Sequence, residues 1–137
     1  MTMTETARKF FDACETGRGW EGCREWCHEG ATFSCQADAL ADVGTLAGYA
    51  DWMRGLLGLI PDGRYELKAF AADGERNRVV AAAVFHGTHS GEGGPVTPTG
   101  KSVAADYVYL MDFDGRKIRH MTKVWNDGHS LRALGWA

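Results

Sequence analysis

Apolar residues in the first part of the chain recur with the spacing of an α-helix. The first set lies at i, i+3, i+4 and i+7, which predicts one apolar helical stripe: Ala7, Phe10, Phe11 and Cys14. Thr2 and Glu5 are three residues apart ahead of this stripe, and they predict a capping box. A second short helix is predicted over Trp20–Glu29, and a third begins at Thr45 and ends before Pro61.

The pattern changes to alternation of period two in two regions. Ala31–Ala37 alternates apolar and polar residues and predicts a half-buried strand. Four more strands are predicted after the third helix, over Arg64–Ala72, Val79–Ser90, Lys101–Phe113 and Lys117–Asn126. Gly91–Gly100 is rich in Gly and Pro and predicts a loop, and a short terminal helical turn is predicted over His129–Gly135.

This order of elements predicts the fold class. Helices followed by hairpin-linked strands favour an α+β fold, in which a curved antiparallel sheet wraps around N-terminal helices. A cone of this kind, closed by helices, contains an apolar pocket. Ala81–Ala83 places small side chains on both faces of a central strand and supports a cavity there. No internal repeat or linker interrupts the pattern, so we expect a single domain over residues 1–137.

Composition and charge exclude several classes of protein. The chain is 45% hydrophobic and 24% charged, which is ordinary globular usage and argues against disorder. A net charge of -3 argues against nucleic-acid binding, which usually needs a basic face. No apolar run approaches the ~20 residues of a membrane span. The chain start lacks a basic region followed by an apolar core, so we expect no signal peptide and a cytoplasmic protein.

The four cysteines are expected to be free thiols, as in a reducing compartment. Cys23 and Cys27 are four residues apart, with His28 beside them. No second pair of ligands follows at a plausible distance, so the spacing predicts buried thiols rather than a metal site.

Three motifs carry a resemblance to a known family. The first is Gly87-Thr88-His89-Ser90-Gly91 followed by Pro98-Thr99-Gly100-Lys101. The second is Asp114-Gly115-Arg116-Lys117-Ile118, and the third is Trp125-Asn126-Asp127 with Leu134-Gly135-Trp136 behind it. With the order of elements, they resemble the nuclear transport factor 2-like superfamily, and within it the SnoaL-like polyketide cyclase branch. The resemblance covers nearly the whole chain and implies the cone-shaped fold.

The resemblance also implies a chemistry without a metal or an organic cofactor. In this family an aspartate at the end of the last strand moves a proton at an activated carbon beside carbonyls, during an intramolecular aldol ring closure. An apolar pocket raises the pKa of such a carboxylate toward the working range. The family spacing, nine residues before Gly135, falls on Asn126, and an amide cannot abstract a proton. Either a bulge turns the adjacent Asp127 inward as the base, or the base is missing.

The residues of this region have competing interpretations. Asp127 is a general base or the cap of the terminal helix. Asn126 is a hydrogen-bond donor to a substrate carbonyl, or it satisfies backbone groups at the strand end. His89 is a proton relay at the pocket mouth, or it fixes the path of the glycine-rich loop. His120 shares a strand face with Asn126, and it is a candidate to line the pocket if this strand keeps the register of the family.

The preceding strand adds further candidates for ligand binding. Tyr107 and Asp106 lie on opposite faces of that strand, and Asp106 faces solvent or a partner, or is a second pocket carboxylate. Trp125 is a core residue, an interface residue or a platform against which the substrate packs. The predicted ligand-binding residues are therefore Asn126, His120, Trp125, Asp106 and Tyr107, with Asp127 and His89 as catalytic candidates.

Two functional hypotheses remain open. One is a small cofactor-free enzyme of the cyclase or isomerase type, acting on an apolar, enolisable small molecule. The other is a non-catalytic ligand-binding or dimerisation module of the same fold. Both faces of the strand Lys101–Phe113 are apolar, so we also expect a homodimer formed through the outer face of the sheet.

Overall fold

The helices and strands follow the predicted order. A computed structural model describes residues 1–137. Its helices are α1 (Met3–Glu15), α2 (Gly19–Cys23), α3 (Leu46–Leu59) and α4 (Asp127–Leu134), with short 3₁₀ turns at Arg24–Trp26 and Asp38–Leu40. Its strands are β1 (Cys27–Cys35), β2 (Arg64–Asp73), β3 (Arg78–Thr88), β4 (Ser102–Asp114) and β5 (Lys117–Trp125).

The five strands form one curved sheet in the order β1-β5-β4-β3-β2. Strands β2 to β5 make an antiparallel meander, in which each strand pairs with the next strand along the chain. Strand β1 lies at the edge of the sheet opposite β2, where it pairs with β5 and runs parallel to it. The α+β fold predicted from the sequence is confirmed, and the parallel β1 edge is an addition to the predicted antiparallel sheet.

Side-chain caps start the two long helices where the sequence predicts them. Thr2 Oγ1 accepts a hydrogen bond from the Glu5 amide at 3.1 Å, at the start of α1. Thr45 Oγ1 accepts one from the Gly48 amide at 3.0 Å, at the start of α3. Each cap satisfies an amide that has no partner inside its helix.

The second predicted helix is shorter than its apolar pattern indicates. The prediction over Trp20–Glu29 is wrong beyond Cys23, where the chain passes through a 3₁₀ turn into β1. Cys27 pairs with Ile118 of β5 in the sheet. This pairing with a distant strand outweighs the local helical pattern, because it supplies the backbone partners for residues after Trp26.

The core lies between the helices and the concave inner face of the sheet. The predicted α1 stripe is almost fully buried, and its members are Ala7, Phe10, Phe11 and Cys14. From α3, Tyr49 and Met53 pack into the same cluster. The four cysteines are free thiols, three of them buried and Cys35 half-buried. No helix has the length and apolar character needed to cross a membrane.

A bulge in β5 decides which of its side chains face inward. Ile118 pairs with Phe113 of β4, and His120 pairs with the preceding residue, Asp112, so Arg119 is an extra residue in β5. Such an insertion reverses the alternation of faces beyond it. Before the bulge Ile118 faces the core, and beyond it the inward residues are Met121, Lys123 and Trp125.

Candidate functional site

An apolar cavity of about 470 Å³ opens between α3, α4 and the inner face of the sheet. Its wall is formed mainly by hydrophobic side chains, including Trp52, Leu56, Phe85, Val103 and Trp136. This size is typical of small-molecule pockets, which run from about 300 to 1,000 Å³. The cavity is therefore large enough for a small organic ligand.

Two charged residues line this apolar cavity, Glu15 and Lys123. Glu15 is the last residue of α1 and is 2% exposed, and Lys123 lies on the inner face of β5 and is 6% exposed. Isolated charges are rarely buried, because removing each ion from water costs several kcal/mol. Their burial in the same cavity marks the part of the cavity around Glu15 and Lys123 as the candidate functional site.

The Glu15 carboxylate is held by two tyrosines of β4. Tyr107 Oη donates to Oε1, and Tyr109 Oη donates to Oε2. Burial raises the pKa of Glu15 above its ordinary value, and the charge of Lys123 and the two phenol hydrogen bonds only partly offset that rise. A carboxylate offers about four lone-pair positions, so Glu15 keeps acceptor capacity beyond these two bonds.

A continuous chain of hydrogen bonds joins Lys123 to Glu15. Lys123 Nζ donates to Tyr49 Oη at 2.9 Å, and Tyr49 Oη lies 2.6 Å from Tyr109 Oη. Each phenol has a single proton, and that of Tyr109 is donated to Glu15. Tyr49 therefore donates to Tyr109, and the whole chain is oriented from the amine toward the carboxylate.

Four aromatic rings surround the amino group of Lys123. Its Nζ lies 4.5 Å from the ring centroid of Trp125, 5.0 Å from Tyr49, 5.3 Å from Trp52 and 5.5 Å from Tyr107. Ring faces attract an ammonium ion, so this cage stabilises the charged form. Burial acts in the opposite direction and lowers the pKa of Lys123, although the charge of Glu15 partly offsets that fall.

Two of the residues predicted to bind ligand line this cavity. Tyr107 contributes its ring and the hydroxyl that is bonded to Glu15. Trp125 contributes its indole, whose Nε1 donates to Ser130 Oγ of α4 at 3.0 Å. They belong to the adjacent strands β4 and β5 and are directly paired in the sheet.

Asn126 and Asp127 lie at the end of β5, outside the residues that line the cavity. Asn126 Oδ1 accepts a hydrogen bond from the His129 amide at 3.2 Å and caps α4. Asp127 Oδ2 accepts one from the Ala39 amide at 2.9 Å. The capping role considered for Asp127 thus belongs to Asn126, and the catalytic role of Asp127 stays a prediction.

His120 and Asp106 lie on the outer face of the sheet. His120 Nδ1 is 2.7 Å from Thr32 Oγ1, and its Nε2 is 3.1 Å from Ser34 Oγ on β1. Asp106 lines a shallow outer groove together with Asn126. The predicted pocket-facing orientation of His120 is wrong, because the bulge at Arg119 turns it away from the cavity.

His89 is completely buried beside the cavity, although it does not line it. Its Nδ1 accepts hydrogen bonds from Trp136 Nε1 at 2.9 Å and from the Thr99 amide at 3.2 Å. This arrangement fixes both the loop before β4 and the indole of Trp136, which lines the cavity. His89 is therefore positioned to hold part of the cavity wall, in agreement with the structural alternative for this residue.

The chemically most distinctive residues were missed in the sequence: Glu15, Lys123, Tyr49 and Tyr109. Glu15 had a usable signal, because it lies four residues after Phe11 and so continues the buried stripe of α1. Lys123 had none, since its inward orientation depends on the bulge in β5.

The family model for SnoaL-like polyketide cyclases matches residues 5–134. The chain belongs to the SnoaL-like polyketide cyclase family. The matched range contains β1 to β5 and all the residues of the Lys123–Glu15 chain. No curated protein matches the sequence.

Several solved structures share the fold of this chain at low sequence identity. A SnoaL-like protein from Jannaschia, described as a polyketide cyclase, is 19% identical with a TM-score of 0.80, over 98% of this chain and 92% of that one. AclR from Streptomyces galilaeus, described as a hydroxylase, is 22% identical with a TM-score of 0.78, over 98% and 85%. IdmH from Streptomyces antibioticus, described as a polyketide cyclase, is 21% identical with a TM-score of 0.77, over 98% and 99%.

Proposed function

We propose that this SnoaL-like protein is an acid–base enzyme of the cyclase or isomerase type, acting without a cofactor. Its substrate is an apolar, enolisable carbonyl compound bound in the cavity. The observation that carries the proposal is the burial of one carboxylate and one amine, Glu15 and Lys123, in an otherwise apolar cavity. Groups with perturbed pKa values in a cleft are typical of catalytic sites.

In this proposal Glu15 takes the place of the aspartate that the family pattern expects at Asn126. Its raised pKa brings a carboxylate closer to neutral pH, where a general base is most effective. The Lys123 ammonium donates to the carbonyl oxygen of the substrate and stabilises the enolate that forms when Glu15 removes the α-proton. This stabilisation is strong, because the lining of the cavity is mainly apolar and offers few competing polar groups.

The alternative is a non-catalytic ligand-binding module of the same fold. Asn126 favours it, because an amide stands at the position of the family's base and is used to cap α4. In this case the Lys123–Glu15 chain orients a carbonyl-bearing ligand by hydrogen bonding and moves no proton at carbon.

Exchange of α-protons for deuterium separates these two functions. The probe is 2-tetralone, an apolar enolisable ketone, followed by proton NMR in D₂O with and without the protein. The enzyme predicts faster exchange than in matched buffer, and loss of that acceleration in Glu15→Gln. Saturable binding of 2-tetralone without any acceleration supports the binding module and contradicts the enzyme.

We also propose that two copies associate through the outer face of the sheet. Val124 is 61% exposed and Val80 is 36% exposed on this face, beside half-buried Val108 and Leu110. Val124→Lys places a charge in the middle of the apolar surface and leaves the cavity residues unchanged. Light scattering is expected to give a dimer for the native chain and a monomer for this variant, and a monomeric native chain contradicts the proposal.

A further inference from the structure

Lys123 is placed as a nucleophile as well as a hydrogen-bond donor. We propose that its amine forms a covalent iminium with a ketone or aldehyde ligand in the cavity. The Tyr49–Tyr109 chain first passes a proton from the Lys123 ammonium to Glu15. The proposal rests on the cavity function above and adds a covalent step to it.

The amine is available because little in the protein engages it. Tyr49 Oη is the one hydrogen-bond partner of Lys123 Nζ, and the other neighbours are the ring faces of the aromatic cage. Glu15 is not in direct ion-pair contact, since Tyr49 and Tyr109 lie between the two groups. A lysine bonded directly to a carboxylate would have its nitrogen held away from a ligand, whereas Lys123 lines the open cavity.

The hydrogen-bond chain provides a route for the proton that blocks nucleophilic attack. When Lys123 gives a proton to Tyr49, Tyr49 gives one to Tyr109, and Tyr109 gives one to Glu15. The charged pair then becomes a neutral amine and a carboxylic acid, without a proton passing through solvent. Low polarity lowers the cost of this transfer, because both charges lose hydration in the cavity.

The covalent step balances in atoms and charge. The nitrogen lone pair attacks the carbonyl carbon, a C–N bond forms, and a proton shifts from nitrogen to oxygen to give a neutral carbinolamine. Glu15 then supplies the proton with which the hydroxyl leaves as water, and the nitrogen lone pair closes the C=N bond. The products are a protonated iminium on Lys123, one water molecule and the Glu15 carboxylate as counter-ion.

The other lysines serve as internal controls, because each of them is exposed. They are Lys9, Lys68, Lys101 and Lys117. An exposed ammonium is stabilised by water, whereas burial lowers the pKa of Lys123 and raises its share of free amine. Each unit of pKa changes that share about tenfold at neutral pH. The cavity also concentrates an apolar carbonyl compound beside one lysine only.

Reductive trapping tests the proposal in the full chain. The protein is treated with 2-naphthaldehyde and cyanoborohydride at neutral pH, and peptide mass mapping follows the label at every lysine. We expect labelling at Lys123 to be faster than at any exposed lysine, because burial raises its share of free amine and the aldehyde binds beside it in the cavity. We also expect Tyr49→Phe to slow labelling at Lys123 alone, because it breaks the proton route.

A second measurement separates this proposal from the cavity function. The alcohol 2-naphthalenemethanol has the same ring system but no carbonyl, and its binding is followed by quenching of the tryptophans that line the cavity. Binding of the alcohol, with Lys123 labelled no faster than Lys68, overturns the iminium and leaves the cavity function standing. Failure of the alcohol to bind, together with Lys123 labelled no faster than Lys68, overturns both.

Discussion

The buried pair Lys123 and Glu15 makes a strong prediction about stability. Lys123→Met removes the ammonium but keeps an unbranched apolar side chain inside the aromatic cage. Glu15 then retains its two tyrosine hydrogen bonds and loses the nearby positive charge that favours its ionised form. The remaining carboxylate is both buried and uncompensated.

The expected cost follows from the burial of both groups. Removing one partner of a buried ion pair typically costs about 3–5 kcal/mol, because an uncompensated charge remains. That is a large part of the roughly 5–15 kcal/mol by which native proteins are stable. Replacing both charges is often neutral, or stabilising by about 1–4 kcal/mol. The double variant Lys123→Met/Glu15→Gln should therefore recover most of the loss.

Urea unfolding followed by circular dichroism measures the free energy of unfolding of the native chain, the two single variants and the double variant. All four proteins are compared at one concentration. Because either single change leaves an uncompensated buried group and the double change removes both, we expect strong coupling between the two sites, with the double variant far more stable than the sum of the single losses predicts. The loss in Lys123→Met should also shrink at mildly acidic pH, because Glu15 then takes up a proton. Additive effects of the two single changes, or a Lys123→Met variant as stable as the native chain, would refute the buried charge pair.

Three further outcomes follow from the same structure. Burial raises the pKa of Glu15, so the free energy of unfolding should fall as the pH rises from the ordinary pKa of a glutamate toward the raised pKa of Glu15. Burial lowers the pKa of Lys123, so the free energy of unfolding should rise again as the pH increases from that lowered pKa toward the ordinary pKa of a lysine. A double variant that keeps this profile in urea titrations contradicts the assignment. Gly91→Ala should lower the melting temperature, because its Cβ would lie 2.0 Å from a carbonyl oxygen of α3, whereas the Cβ of Gly44→Ala meets nothing within 4 Å; equal melting temperatures argue against this contact. Asn126→Ala should cost about 0.5–2 kcal/mol through loss of the cap, and Asn126→Asp much less, in thermal unfolding. If Asn126→Asp costs as much, the cap is not the reason.

The architecture was predictable because its signals are local. The apolar stripe of α1, the caps at Thr2 and Thr45 and the alternation in the later strands each depend on neighbouring residues. The parallel pairing of β1 with β5 has no such signal, since its partners are far apart in the chain. That pairing is also what ends the second helix early.

The site was only partly predictable for two physical reasons. A single extra residue, Arg119, reverses the faces of β5 and brings Lys123 inward in place of His120. A lysine in an alternating strand is normally assigned to solvent, and here its burial depends on Glu15 and the surrounding rings. Tyr107 and Trp125 line the cavity, and their role in ligand binding stays a prediction.

The choice between two carboxylates tests the central claim most directly. Glu15→Gln and Asp127→Asn are matched changes, each of which replaces a carboxylate with an amide of nearly the same shape. In the 2-tetralone exchange measurement, we predict that Glu15→Gln loses the acceleration and Asp127→Asn keeps it, with the fold of both verified by circular dichroism. Loss of acceleration in Asp127→Asn, with Glu15→Gln unaffected, would contradict the assignment of Glu15 and return the base to the end of β5.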